Sequence, residues 1–215
     1  EEELIDGLCC YSAVNQGQLN EEIVNAVIHH LDQEKLPTVP RSIRHKYMSA
    51  FLMAATAITD MDKVVPKVSG VESWELTFKL CRRWGYEVKN IPDGKCIIVG
   101  AKGNFHGRTL AAVSATGQPN YHKGFEPLVE GFEFFEYNNY KSFEKLLEVV
   151  EKDGPKVAAV LIEPLQGEGG VQPGSTTFFQ RLKNKCAEKN ILLIFDEVQT
   201  GMGRTGYWWG YEQLG

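Results

Sequence analysis

Hydrophobic and polar positions follow two rhythms along the chain. Residues 95–101, Val157–Ile162 and residues 191–195 are apolar almost without a break. Aliphatic and β-branched runs of this length belong to strands covered on both faces, as in parallel sheets. Between and before them the apolar positions recur at helical spacing. Ile23, Val27, Ile28 and Leu31 share a face behind Asn20, a residue suited to capping a helix. Tyr47, Phe51, Leu52, Ala55 and Ile58 form a second stripe, and Val71, Trp74, Phe78 and Cys81 a third. Phe143, Leu146, Leu147 and Val150 make the fourth; Phe178, Phe179, Leu182 and Cys186 make the last, which stops near Asn190. Helix and strand in alternation predict an α/β fold with a mostly parallel sheet covered by helices. In such a sheet ligands bind beyond the carboxyl ends of the strands. Residues 103–109, 163–170 and 196–206 occupy those places.

Composition narrows the function. The 215 residues can bury a core without disulfides or a structural metal. A net charge of −5 lacks the basic footprint of a nucleic-acid binder. The longest apolar stretches, 50–58 and 157–162, fall short of the roughly 18 residues of a membrane span. The five cysteines include the adjacent pair Cys9 and Cys10 and no C-x-x-C, so they suggest neither a disulfide framework nor a zinc site, and they fit a reducing compartment. The five histidines show no ligand spacing, and no metal is expected. The chain opens at Glu1 without methionine and closes on an aromatic run and polar turn that read as the middle of a fold. A segment of something longer is expected.

Several motifs have competing readings. The run 191–195 followed by Asp196 and Glu197 looks like a magnesium-binding strand end of a nucleotide hydrolase, but no G-x-x-x-x-G-K-[ST] loop accompanies it. Gly201, Gly203 and Gly206 satisfy G-x-G-x-x-G, yet the motif neither leaves a strand directly nor opens a helix, so it reads as a glycine-rich active-site loop or an ordinary turn. No serine lies in G-x-S-x-G. Ser69, Gly70 and Val71 open an amphipathic helix. They suit a phosphate at the helix N-terminus, or simply a cap by Ser69.

Taken together, Gly103-Asn-Phe-His-Gly-Arg-Thr109, Glu163-Pro-Leu-Gln-Gly-Glu168 and Asp196-Glu-Val-Gln-Thr-Gly201 with Gly203-Arg-Thr-Gly206 resemble the class III pyridoxal-phosphate aminotransferases of the ornithine and acetylornithine group. The resemblance runs from about Tyr11 to Gly215. Residues 11–17 and 83–89 look like the ornithine enzymes, whereas 115–119, 125–129 and 209–212 look closer to the acetylornithine enzymes. The resemblance implies the large domain of a fold type I transferase, with 1–45 leading into a partial cofactor-binding domain at 46–215 and the small carboxyl-terminal domain absent. It also implies small-molecule amino-acid and 2-oxo-acid substrates, a homodimer, and the cytoplasm or mitochondrial matrix.

The same resemblance assigns roles. Asp196 matches the carboxylate that keeps the ring nitrogen of pyridoxal 5'-phosphate protonated, and Gln199 the partner of its phenolic oxygen. Phe105 matches the aromatic on the ring face, and Ser69, Gly70 and Val71 the phosphate cradle. Arg108 matches the grip on a substrate carboxylate, Tyr11 a phenol assisting with ornithine, and Glu168 the glutamate that masks a second arginine expected beyond Gly215. The lysine that carries the cofactor is likewise expected beyond Gly215. Departures are also visible: Gln18–Glu21 replaces a His-x-His-Pro run, Pro40-Arg-Ser-Ile-Arg44 a Ser-Arg-aromatic segment, Val68 a polar residue, and Trp74 a small residue or Asn. They leave open a degenerate, non-catalytic homologue serving as a structural subunit. For Trp74 the expectation is core packing on the stripe of Phe78 and Cys81, not a place in the pocket.

Overall fold

A computed structural model describes residues 3–35, 38–40, 42–154 and 156–215. Arg41, in one of the departing segments, lies outside them. The chain begins with a single turn, α1 (Cys9–Ser12), in which Cys10 and Tyr11 have φ of 51° and 55°. Then follow α2 (Glu21–Asp32), α3 (Lys46–Thr59), α4 (Gly70–Glu87), β1 (Ile97–Ala101), α5 (Leu110–Ser114), β2 (Phe132–Phe135), α6 (Tyr140–Val150) and β3 (Val157–Ile162). A short antiparallel pair, β4 (Leu165–Gln166) and β5 (Gln172–Pro173), precedes α7 (Thr176–Glu188) and β6 (Leu192–Phe195), and a 3-10 turn spans Gly210–Leu214.

Four strands form one sheet in the order β2-β1-β3-β6, all parallel. Side chains alternate between its faces. Val99, Ala101, Val157, Val160 and Ile162 pack with Phe143, Leu147, Phe178, Phe179 and Leu182 of α6 and α7. Ile98, Ala159 and Leu161 pack on the other face with Trp74, Phe78 and Cys81 of α4 and Ala112 and Ala115 of α5. All six residues of β3 are buried, as a strand between two helical layers requires. The α/β parallel sheet expected from the sequence is the one observed. Strand β1 leads to β2 on one side, and the chain returns to β3 on the other. The switch in direction between β1 and β3 opens a crevice at their carboxyl ends.

Helix caps follow the sequence. Asn20 accepts the N–H groups of Glu22 and Ile23, Ser69 that of Glu72, and Ser175 that of Phe178. Asn190, at φ 50°, ends the turn that leads into β6. The sequence reading missed β2, a four-residue edge strand. It also began β1 two residues early: Lys95 and Cys96 precede the ladder, which shifts register between Ile97 and Ile98. The apolar stripes of α2 and α3 form helices without a fully buried residue, although Tyr47, Leu52, Ala55 and Ile58 of α3 are half-buried. Ile23, Val27, Ile28 and Leu31 remain 50–61% exposed, because no other described element covers that face.

Candidate active site

Three loops meet at the switch point, joined by the first turn of α4. In the loop after β1, burial alternates: Asn104 and His106 are buried, Phe105 is half-buried, and Arg108 is exposed. Gly107 has φ 125°, and a Cβ there would lie 2.4 Å from Cγ2 of Val71. Glycine is what lets this loop lie directly on the start of α4. Ser69 caps that helix, and Glu72 Oε2 accepts the Val68 N–H at 2.9 Å, so the helix start is closed on both sides. The remaining first-turn N–H groups have no partner within the helix, which suits an anion.

Asp196, one residue past β6 and 6% exposed, is a carboxylate with three hydrogen-bond donors. Its Oδ2 meets Trp74 Nε1 at 2.8 Å and His106 Nδ1 at 2.7 Å, and its Oδ1 accepts the Val198 N–H at 3.0 Å. The Trp74 and His106 rings pack with centroids 4.3 Å apart. Trp74 therefore does enter the core, as the sequence suggested. The expectation of packing alone is corrected, since the indole N–H also reaches the site's buried carboxylate. Val198 is 69% exposed, and a Cβ on Gly70 would touch its Cγ2 at 3.5 Å, so the helix start and the Asp196 loop adjoin.

Glu163 follows β3 as Asp196 follows β6, and the register pairs Ile162 with Phe195. The two carboxyls consequently end adjacent strands. Glu163 is 6% exposed, and its Oε2 has no partner. Burial, reinforced by the charge of Asp196, pushes the Glu163 carboxyl up to about 9, against which the Phe105 N–H and Gln166 pull only partly. Burial thus favours its neutral, protonated form.

Arg108 lies 5.6 Å from the Phe105 ring and 5.3 Å from that of Tyr121, whose hydroxyl is 3.4 Å from Glu168 Oε2. Arg108 and Tyr121 border a cavity of about 310 Å³, whose other lining residues are Leu110, Val113, Asn120 and Phe125. Neither Asp196 nor Gln199 lines it. Gln199 donates to Ser12 Oγ at 2.9 Å, Arg204 to the Ser12 carbonyl at 3.2 Å, and Asn15 to that of Met202 at 2.9 Å. These bonds dock the amino-terminal turn, and with it Tyr11, on the loop after β6. Tyr11 itself is 69% exposed. Glu197 fastens the end of the loop by accepting the N–H groups of Gly210 and Tyr211, each at 2.8 Å.

The structure thus sets Gly70 beside the loop of Asp196 and Val71 beside Gly107, gathers Phe105 and Arg108 around Tyr121 with Glu168 at its hydroxyl, and links Gln199 to the turn of Tyr11. The roles of Asn104 and Glu163 and the Trp74 bond were not read from the sequence. Two signals were present: Asn104 and His106 alternate with Phe105 at a spacing of two, and Glu163 directly follows a wholly apolar strand.

The sequence profile of the class III aminotransferases matches residues 1–215. An acetylornithine aminotransferase of Prochlorococcus marinus strain MIT 9313 is 62% identical over 147 residues, 68% of this chain and 35% of the relative. A mitochondrial ornithine aminotransferase of Drosophila ananassae is 41% identical over 201 residues, 94% of this chain and 45% of the relative. The crystal structure of the Toxoplasma gondii ME49 ornithine aminotransferase superposes with a TM-score of 0.88 at 31% identity, covering 96% of this chain and 48% of that one. A second structure of the Toxoplasma enzyme is described as holding pyridoxal phosphate at partial occupancy in its active site. The chain spans between a third and a half of the length of these curated relatives. With its profile matched from end to end and its parallel sheet superposing on an ornithine aminotransferase, the chain belongs to the class III aminotransferases.

Proposed function

We propose that residues 46–215, led into by 1–45, are the cofactor-binding part of an aminotransferase that moves the δ-amino group of ornithine to 2-oxoglutarate, giving glutamate semialdehyde and glutamate. The observation that carries this reading is Asp196, a buried carboxylate at a parallel strand end whose Oδ2 is taken by two donors and whose Oδ1 has one. A carboxylate has about four acceptor positions, so one remains for a protonated ring nitrogen. Ser69 and the free N–H groups of Gly70 and Val71 suit the phosphate, Phe105 the ring face and Gln199 the phenolic oxygen. The residues present fit pyridoxal phosphate. When bound, it supplies an electron sink for the pair released at the amino-bearing carbon.

The chain's own residues do the rest. Asp196 holds the ring nitrogen's proton, Arg108 offers a planar fork to a substrate carboxylate, and Phe105 and Tyr121 brace that fork. Tyr11 assists at the amino donor, and Glu168, reached through Tyr121, is placed to mask a second arginine. The intact donor set around Asp196 supports a working enzyme over a degenerate subunit. N-acetylornithine is the second reading, favoured by the 62% identity to an acetylornithine aminotransferase.

A homodimer belongs to the proposal, since the exposed stripe of α2 needs a cover. So do two compartments, the cytoplasm and the mitochondrial matrix; the fly relative is named mitochondrial. Among the described residues no helix is long and apolar enough to cross a membrane.

The test is reconstitution of the complete natural protein with pyridoxal phosphate. Half-reactions are then followed by absorbance with ornithine, N-acetylornithine and 2-oxoglutarate. Saturable binding and turnover of ornithine support the reading. Absence of cofactor binding in the folded protein overturns it.

A further inference from the structure

Asn104 can present only one of its side-chain atoms to His106. Its Oδ1 accepts the Gly117 N–H at 2.5 Å, and its Nδ2 donates to the Ala115 carbonyl at 2.9 Å. Both partners are backbone groups of fixed polarity, so they dictate which way the amide faces. The same Nδ2 lies 3.0 Å from His106 Nε2. An amide nitrogen only donates, so Nε2 must accept and the single ring proton must sit on Nδ1. That nitrogen is 2.7 Å from Asp196 Oδ2 and donates to it. Asn104 is wholly buried and His106 nearly so, and neither has solvent at hand to offer another partner.

We infer that Asn104 is a positioning residue of the site, acting through His106: it locks the imidazole as the neutral Nδ1–H tautomer, so Asp196 receives a hydrogen bond without a compensating positive charge. The other donors to Asp196, the Trp74 indole and the Val198 N–H, are also uncharged. An imidazolium in the place of His106 would cancel the carboxylate before any ligand reached it. With the tautomer locked, the full negative charge stays available to a cationic ring nitrogen. This last consequence rests on the proposed role of Asp196; the tautomer does not. Outer partners that fix a histidine tautomer are the usual means of setting what the inner group sees.

The test uses the complete natural protein labelled with 15N-histidine, free of cofactor, with His106→Gln assigning the resonances. One pyrrole-type nitrogen at Nδ1 and one pyridine-type nitrogen at Nε2 are expected. Asn104→Asp keeps the size and the bond from Gly117 but sets a carboxylate against Nε2, drawing a second proton onto the ring. Both nitrogens then become pyrrole-type, and pyridoxal phosphate affinity falls roughly 10- to 100-fold, as loss of a charge-assisted bond implies. Asn104→Ser, a smaller perturbation, should leave a mixture of tautomers. A wild-type His106 that carries its proton on Nε2, or on both nitrogens, overturns the inference, as does an Asn104→Asp protein with unchanged ring nitrogens. If wild-type protein shows the Nδ1–H tautomer but binds no pyridoxal phosphate, the lock stands and the proposed cofactor is what fails.

Discussion

The Trp74 indole N–H points at Asp196 Oδ2 from 2.8 Å, joining a helix start to a strand end 122 residues away in sequence. A core stripe and a site carboxylate thereby share one side chain. Trp74 is packed like its neighbours Phe78 and Cys81, yet it also limits the orientations open to Asp196. Packing and polar contributions separate by substitution. Trp74→Phe keeps most of the ring and removes the donor, so the expected loss is about 1.5–3 kcal/mol, the worth of a hydrogen bond to a charged group. Trp74→Gly should cost roughly 3–5 kcal/mol from the cavity, and about 1 kcal/mol more for glycine inside a helix. Both should weaken cofactor binding, because Asp196 gains freedom in each. Denaturant unfolding and cofactor titration on the same proteins check this; a Phe variant as stable as the parent would mean the bond contributes nothing.

Arg108 is exposed yet braced by two rings, which keeps its fork oriented. Lysine would retain the charge and lose both the planar two-bond grip and the stacking. Arg108→Lys should therefore raise KM for the amino donor about tenfold while cofactor affinity stays within twofold. Stopped-flow half-reactions read this directly. Unchanged kinetics would remove Arg108 from the substrate site.

Glu163 should make the fold sensitive to alkali. Its carboxyl is raised by burial, then by Asp196, to about 9, whereas in the unfolded chain it titrates near the ordinary 4.5. Between those values the folded state holds a proton that the unfolded state has released, so stability must fall as pH rises, by at most about 1.4 kcal/mol per pH unit for this group. Glu163→Gln keeps the shape and stays neutral. The variant should match the parent near pH 5 and unfold at a clearly higher temperature at pH 8.5. Parallel melting curves from pH 5 to 9 would show that Glu163 is not the group responsible.

How much of this was written in the sequence depends on whether a feature is local. Val157–Ile162 is apolar at every position, as a doubly covered strand requires, and the stripes of α4, α6 and α7 pack as their spacing implies. The segments after β1, β3 and β6 form the candidate site because topology makes strand ends converge. Strand β2 escaped notice because Phe132-Glu-Phe-Phe135 is short and needs its neighbour β1 to define it. The stripe of α2 gives the helix but not its partner, which is not found among the described residues. Contacts such as Trp74 to Asp196 and Asn104 to His106 need side-chain directions that periodicity does not encode.

On the proposed reading, the choice between ornithine and N-acetylornithine is tested at the amino-terminal turn. Tyr11 sits at φ 55°, in a left-handed turn that a tyrosine adopts only when its neighbours hold it there. Those neighbours are identifiable: Ser12 takes a bond from Gln199 on its hydroxyl and from Arg204 on its carbonyl, so the turn is tied to the loop that follows Asp196. In the proposed role the phenol would add one hydrogen bond to a bound amino donor, worth roughly 0.5–1.5 kcal/mol, or about two- to tenfold in KM. Tyr11→Phe should lose that much with ornithine and little with cofactor. Ser12→Ala should reproduce part of the loss without touching the phenol, because it unties the turn from Gln199. N-acetylornithine, whose α-amino group is blocked, should feel both changes less. Equal losses with the two donors would separate Tyr11 from the choice between them, and a parent protein that turns over N-acetylornithine faster than ornithine would move the assignment to the second reading.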